Sequence, residues 1–283
     1  MTRRHPITRR DCLIALMLLP LAGSAQSART PADPGQLVEL APDIRRIMER
    51  GALIVGMQGS DIAPYAYLKD GRLQGVDVEL AQGLADELQV ELRIDRSATS
   101  YNQVIDAVAR GQVDIGVSAL SRTFQRARRV SFSEPYVTLR HAMALNRANL
   151  AVLTRDKDAR AVIKVFPGSI GILADSSYVE FAHRNFPAAR IVEFRLWAEA
   201  VEAARKGTVD ALYNDEFEIR YLMKSDAANP LFFRTAFFSD LVDTLAIALP
   251  HGSRQLLSFT NLYLSGRPRA PTAEMLLQRS LKR

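Results

Sequence analysis

Residues 107–118, "AVARGQVDIGVS", and residues 202–214, "EAARKGTVDALYN", spell one phrase twice. Each reads as the end of a helix, a glycine, one spacer residue, Val-Asp, and then an apolar strand running into small polar groups. A glycine after a helix is common in any αβ turn, so the echo alone is compatible with an ordinary repeat of local grammar. Its surroundings carry more weight. Working outward from the first copy, "ALIVGM" reads as a buried strand and "YAYLKDGRLQG" as a hairpin about Asp70-Gly71. "VDVELAQGLADEL" reads as an amphipathic helix with Val76, Leu80, Leu84 and Leu88 at a spacing of four. "VELRID" follows as a strand, and Ser100 is placed to cap a helix from Tyr101 to Arg110. Around the second copy, "IGIL", "YVEFAHRNF", "RIVEF" and "WAEAVEAARKG" alternate strand and helix in the same way. The expectation is two α/β lobes, each with a mostly parallel sheet.

The tail of the chain does not complete the second lobe. "LVDTLAIALP" reads as a strand, and "SRQLLSFTNLYL" and "TAEMLLQRSL" as helices. A tail that returns to the first lobe requires two crossings. "YVTLRHAMALN" (136–146) and the stretch from Ser239 to Leu245 are the candidates, and two crossings make a hinge.

Composition narrows the class. The 283 residues are 48% hydrophobic and 24% charged, an ordinary globular mixture. The net charge is +6, but the four arginines and one aspartate of residues 1–28 supply half of it. What remains is weak support for a nucleic-acid partner, and none is expected. A basic start, the apolar run "LIALMLLPLAG" and the small residues "GSAQSA" read as a cleavable export signal. "TRRDCLI" resembles a twin-arginine signal. Cys12, the only cysteine, lies before the apolar run, so the mature chain is expected to hold neither a thiol nucleophile nor a cysteine metal cluster. The four histidines lack metal spacing, and no hydrolase elbow, phosphate loop or dinucleotide fingerprint is present. No catalytic residue, metal or cofactor is expected.

Ligands in open α/β sheets bind beyond the carboxyl ends of the strands. After "VDIGV" come Ser118, Ala119 and Ser121, then Thr123 as a helix cap and Arg126 in the helix's first turn. A cation there opposes the helix dipole. Arg126 is therefore a clamp for an anion, a structural ion pair or a surface charge, whereas Arg122, Arg128 and Arg129 are read as solvated. After "IGIL" come Asp175, Ser176 and Ser177 at another helix start, and after "VDALY" come Asn214 and Asp215. Each set serves either as helix caps or as the far wall of a site. Tyr101 reaches the same face. A cation, an acid and an aromatic wall together complement a zwitterionic amino acid.

These residues carry a resemblance. "GVDVELAQGLADEL", "SALSRTFQRARRVSFSEPY" and "GTVDALYND" are similar, in order and spacing, to motifs of the bacterial extracytoplasmic solute-binding proteins of family 3. That family comprises polar amino acid receptors of ABC importers. The resemblance implies the type II periplasmic binding protein fold, two α/β lobes joined by a two-strand hinge. It implies Arg126 and Ser121 on the ligand α-carboxylate, with the Ser176 amide from the second lobe. It places the α-amino group at Ser118, Ala119 and Asp215, and Tyr101 over the side chain. Ser177 and Asn214 are secondary candidates. Asp175 stands where the family usually has glycine, and Gln58 and Asp61 are candidates for its first-lobe acid.

The expected organisation is a signal peptide (1–28), a leader with the start of the first helix (29–47), the first lobe (48–138), the second lobe (139–242) and a return to the first lobe with the tail (243–283). The expected function is a periplasmic monomer that closes around an amino acid or amino-acid-like carboxylate and hands it to a membrane importer permease. Two alternatives stand beside it. One is an enzyme resembling the cyclohexadienyl dehydratases, with Asp175 or Asp61 as its acid. The other is an accessory or sensor protein of a periplasmic oxidoreductase system.

Overall fold

The computed structural model describes residues 40–267 and 270–281. The expected signal peptide (1–28), Cys12 and most of the expected leader lie outside them. Ten strands are formed among the described residues. They are β1 (Ala52–Gln58), β2 (Tyr67–Lys69), β3 (Arg72–Gln74), β4 (Glu91–Ala98), β5 (Ile115–Gly116), β6 (Ser131–Asn146), β7 (Ser169–Leu173), β8 (Arg190–Phe194), β9 (Ala211–Asp215) and β10 (Phe233–Leu249). Strands β2 and β3 form the hairpin about Asp70-Gly71. The other eight lie in the order β4-β1-β5-β10-β6-β9-β7-β8.

The parallel pairs fall at the two ends of that order. β1 runs parallel to β4 and β5, and β7 runs parallel to β8 and β9. Between them β6 and β10 pair antiparallel from Ser131↔Leu249 to Asn146↔Phe233, with an interruption between Phe237 and Val242. β6 also pairs with β9, and β10 touches β5 at Ala248↔Gly116. This is the two-lobed type II architecture, with β6 and β10 as its two-strand hinge. Both hinge strands are longer than the sequence reading, which began the first crossing at Tyr136 and the second at Ser239.

The echoed phrases turn out to share a side-chain device as well as a chain direction. Asp114 Oδ2 accepts a hydrogen bond from the Ile54 amide (2.8 Å), and Asp210 Oδ2 accepts one from the Ser169 amide (2.7 Å). Each aspartate thus ties its own strand to the neighbouring parallel strand. Each lobe has apolar packing on both sides of its sheet. In the first, Leu53, Leu80 and Leu84 belong to one cluster and Val104, Ile105 and Val108 to another. In the second, Phe166, Phe181 and Phe186 face one way, and Ala200, Ala204 and Ile219 the other. Leu276 and Leu277 of the C-terminal helix Ala273–Leu281 join the first-lobe core.

One strand is shorter than expected. "VDIGVSAL" reads as a strand, but only Ile115–Gly116 pair as one. Beyond them the chain turns away, and Ala119 adopts a positive φ of 45°. Asp77, at the start of the helix Val76–Glu87, captures the Ala119 amide (2.7 Å) and also accepts from the Tyr136 hydroxyl (2.8 Å). A carboxylate 42 residues away thus supplies the partner that a longer strand would have supplied. Burial pushes the Asp77 carboxyl up to about 6, with those two donors pulling it back.

Candidate functional site

A cavity of about 80 Å³ lies where the carboxyl ends of the strands from both lobes converge. Tyr101, Ala119, Ser121 and Arg126 line it from one side, and Ser176, Ser177, Asn214 and Asp215 from the other. Ligand pockets are usually about 300–1,000 Å³. Admission of a solute therefore requires the walls to part.

Arg126 lies in the short helix Phe124–Ala127, whose N-cap Thr123 accepts from the Arg126 amide (3.2 Å). Its side chain is buried, at 5% exposure. Nη1 donates to the Ser121 carbonyl (3.1 Å), and Nε and Nη2 reach Asn102 Oδ1 at 3.4 and 3.3 Å. Burial lowers its pKa from the usual arginine value, and the charge of Asp243 works against that. The other arginines of this stretch differ. Arg129 pairs with Asp106 (2.5 Å), and Arg122 and Arg128 are exposed.

The opposite wall is built on two helix starts. Ser176 occupies the N-cap position of the helix Ser177–Asn185, but its hydroxyl donates backward to the Leu173 carbonyl (2.7 Å) and does not cap. Asp215 does cap its helix, Glu216–Ser225, accepting from the Glu218 amide at 2.8 Å. Burial pushes the Asp215 carboxyl well up, and the neighbouring Glu218 and Asp243 charges push the same way. Asn214 Oδ1 accepts from the Asp215 amide (2.8 Å).

A hydroxyl relay joins the walls. Ser177 Oγ donates to Ser121 Oγ (2.8 Å), and Ser121 Oγ donates to Asp243 Oδ2 (2.8 Å). The Tyr178 hydroxyl also donates to Asp243 Oδ2 (3.3 Å). Asp243 sits on β10, 1% exposed, and burial pushes it up to about 6 while Ser121 and Arg126 pull it back. Aromatic packing also crosses the cleft, with Tyr65 and Phe217 edge to face at 5.8 Å.

Four candidates stand outside this lining. Ser118 is buried, and its hydroxyl accepts from the Gln58 amide (3.0 Å), so the two hold each other beside the strand ends. Asp61 pairs with Arg96 (2.9 Å) and accepts from the Leu68 amide (3.0 Å). Asp175 is exposed at a positive φ of 57°. Two acids that do line the cavity, Glu218 and Asp243, were not singled out from the sequence. Glu218 lies three residues beyond Asp215, one helical turn along, a spacing that could have signalled a shared face. Asp243 lay inside a crossing read only as a strand. A lone acid in such an apolar run was the available signal.

The sequence profile described as "Bacterial extracellular solute-binding proteins, family 3" matches residues 53–265. The chain belongs to that family. It is similar to the L-cystine-binding protein TcyJ of Escherichia coli (strain K12), at 23% identity over 253 residues, covering 89% of this chain and 88% of the relative. It is similar to a glutamine-binding protein of Geobacillus stearothermophilus, at 26% identity over 226 residues, covering 76% and 82%. Among solved structures it resembles AncCDT-1, an ancestral amino acid-binding protein described as a precursor of cyclohexadienyl dehydratase. That match has a TM-score of 0.65 and 25% identity, covering 84% of this chain and 99% of that one. This family 3 chain thus has amino acid-binding relatives along most of its length.

Proposed function

We propose that this solute-binding protein captures an amino acid, or a small carboxylate built like one, by closing its two lobes, and delivers it to an ABC importer. One observation carries the reading. Arg126 from the first lobe and Asp215 from the second line the same cavity, one cation and one acid on opposite walls. An α-carboxylate satisfies Arg126, helped by Ser121 and the uncapped amides that follow Ser176. An α-ammonium satisfies Asp215, and Tyr101 lies over the side chain. Ser118, through its contact with Gln58, acts by holding the loop that carries Ala119.

The proposed organisation keeps residues 48–138 and 243–283 in the first lobe and 139–242 in the second. Residues 1–28 direct export to the periplasm, where the mature chain works as a monomer. A thermal-shift and calorimetric screen of the mature chain against the amino acids and related small carboxylates tests the reading, because a solute that binds only the folded state raises its melting temperature. No shift with any of them overturns it.

One observation favours a second reading, an enzyme of the dehydratase kind. Glu218 is a carboxyl in the cavity that burial pushes up to about 7, as a general acid would need, whereas Asp61 and Asp175 lie outside the lining. Incubation with prephenate or arogenate decides, since a receptor returns both unchanged.

A further inference from the structure

The acidic and basic groups around the cavity are unequal in number. Arg126 is the one cation lining it among the described residues, whereas Asp215, Glu218 and Asp243 are three acids. A neutral amino acid brings one carboxylate and one ammonium. Arg126 and Asp215 account for both, and two carboxyl groups are left facing the cavity. No lysine or arginine among the described residues forms an ion pair within 4.0 Å with any of the three. Asp243 has a further deficit. Its Oδ2 accepts from two hydroxyls, but its Oδ1 is buried without a hydrogen-bond partner. A buried acceptor of this kind calls for a donor.

Glu218 is the more adaptable of the two spare acids. Its amide is fixed on Asp215, so its side chain leaves from the same first helical turn. Tyr101 lies near it, and the Trp197 indole beside it favours the ionised carboxyl. Apart from Arg126, the first-lobe lining offers Ile62, Tyr65, Tyr101, Ala119 and Ser121, none of them a cation.

We infer that the solute carries a second cationic group, an ammonium or guanidinium on its side chain, and that Glu218 selects it. The inference rests on the amino-acid reading of the cavity. It assigns side-chain choice to an acid of the second lobe, one helical turn beyond the acid that takes the α-ammonium.

The chain's only tryptophan provides the readout, since Trp197 lies beside the proposed selector. Binding is measured by calorimetry and by Trp197 emission with two near-isosteric pairs, L-arginine against L-citrulline and L-lysine against L-norleucine. In the native protein the cationic member of at least one pair binds about tenfold or more tighter, the scale of a hydrogen bond to a charged group. It also shifts the Trp197 emission as Glu218 turns to the ligand. In Glu218→Gln that preference falls to about threefold or less, while the neutral members keep their affinity. Matched melting temperatures and circular dichroism show that the variant is folded. Glu218→Asp serves as a second variant and retains part of the preference. Neutral members binding as tightly as cationic ones in the native protein overturn the inference and leave the amino-acid reading standing. An unchanged preference in Glu218→Gln overturns the role of Glu218. Absence of binding by all four solutes, by every other amino acid and by the related small carboxylates overturns both readings.

Discussion

Replacing Asp243 with asparagine removes a charge from the point where the hinge strand, the first lobe and the second lobe meet. The carboxyl titrates at about 6 in the fold, against an ordinary 3.8. The difference of about two pH units corresponds to about 3 kcal/mol, at about 1.4 kcal/mol per unit. Its sign follows from linkage. A carboxyl raised on folding favours the native state fully below its unfolded value, and that advantage is lost as pH rises through the folded value near 6. At pH 8 the native protein therefore bears the whole cost of a buried, ionised Asp243. Asparagine keeps an acceptor for the Ser121 and Tyr178 hydroxyls without the charge. Asp243→Asn is expected to melt higher than the native protein at pH 8, by up to about 10 °C for a chain of this size. The gain shrinks through pH 6 and vanishes near pH 4. Asp77, Asp215 and Glu218 are raised too and are present in both proteins, so the difference between paired melting curves reports position 243 together with the relief it gives Asp215, which acts in the same direction. A gain of equal size at pH 4 and pH 8, or a lower melting temperature at pH 8, would refute the reasoning.

Arg126→Ala is expected to cost about 2–5 kcal/mol of solute affinity, read by calorimetry, whereas Arg128→Ala and Arg129→Ala leave it nearly unchanged. Equal losses in all three would place the clamp elsewhere. Gly75→Ala is expected to destabilise the fold by about 3 kcal/mol or more in urea titrations, because φ is +132° and an added Cβ would lie 2.1 Å from the Tyr65 carbonyl oxygen. Asp114→Ala and Asp210→Ala should each lose about 1–3 kcal/mol by orphaning the Ile54 and Ser169 amides, and similar urea midpoints for the two would support the equivalence of the echoed phrases.

Local grammar carried most of the fold. Alternating strands and helices, glycines at helix ends and the Val-Asp echo were enough to place two α/β lobes and a double crossing. What escaped was non-local. The strand after Val113-Asp114 stops early because Asp77, far along the chain, takes the Ala119 amide, and no window around residue 119 contains that information. The hinge strands run long because β6 and β10 serve both lobes, while sequence reading closes each strand at its own lobe. At the site, Asp215, Ser176 and Ser177 could be read as candidates because they sit at or just past a strand end, and Arg126 because it lies in the short helix that follows one. Glu218 is one of two acids in the first turn of its helix, where an acid ordinarily complements the dipole. Asp243 looked like a polar break in a strand. Only the convergence of the two lobes separates these two from the many acids that do just that.

The C-terminal helix Ala273–Leu281 has a consequence for how the receptor is tuned. Its leucines are rooted in the first-lobe core, Arg279 grips Glu79, and the same helix packs against Glu216–Ser225, the helix that carries Glu218. It forms a further link between the lobes, made of contacts rather than chain. In the proposed hinge motion, parting the lobes would peel this helix from one side, so residues that no solute touches would share in setting the balance between open and closed forms. Apparent affinity scales with the fraction of molecules in the competent form. The tail thus offers evolution a volume control for solute affinity, separate from the cavity that chooses the solute.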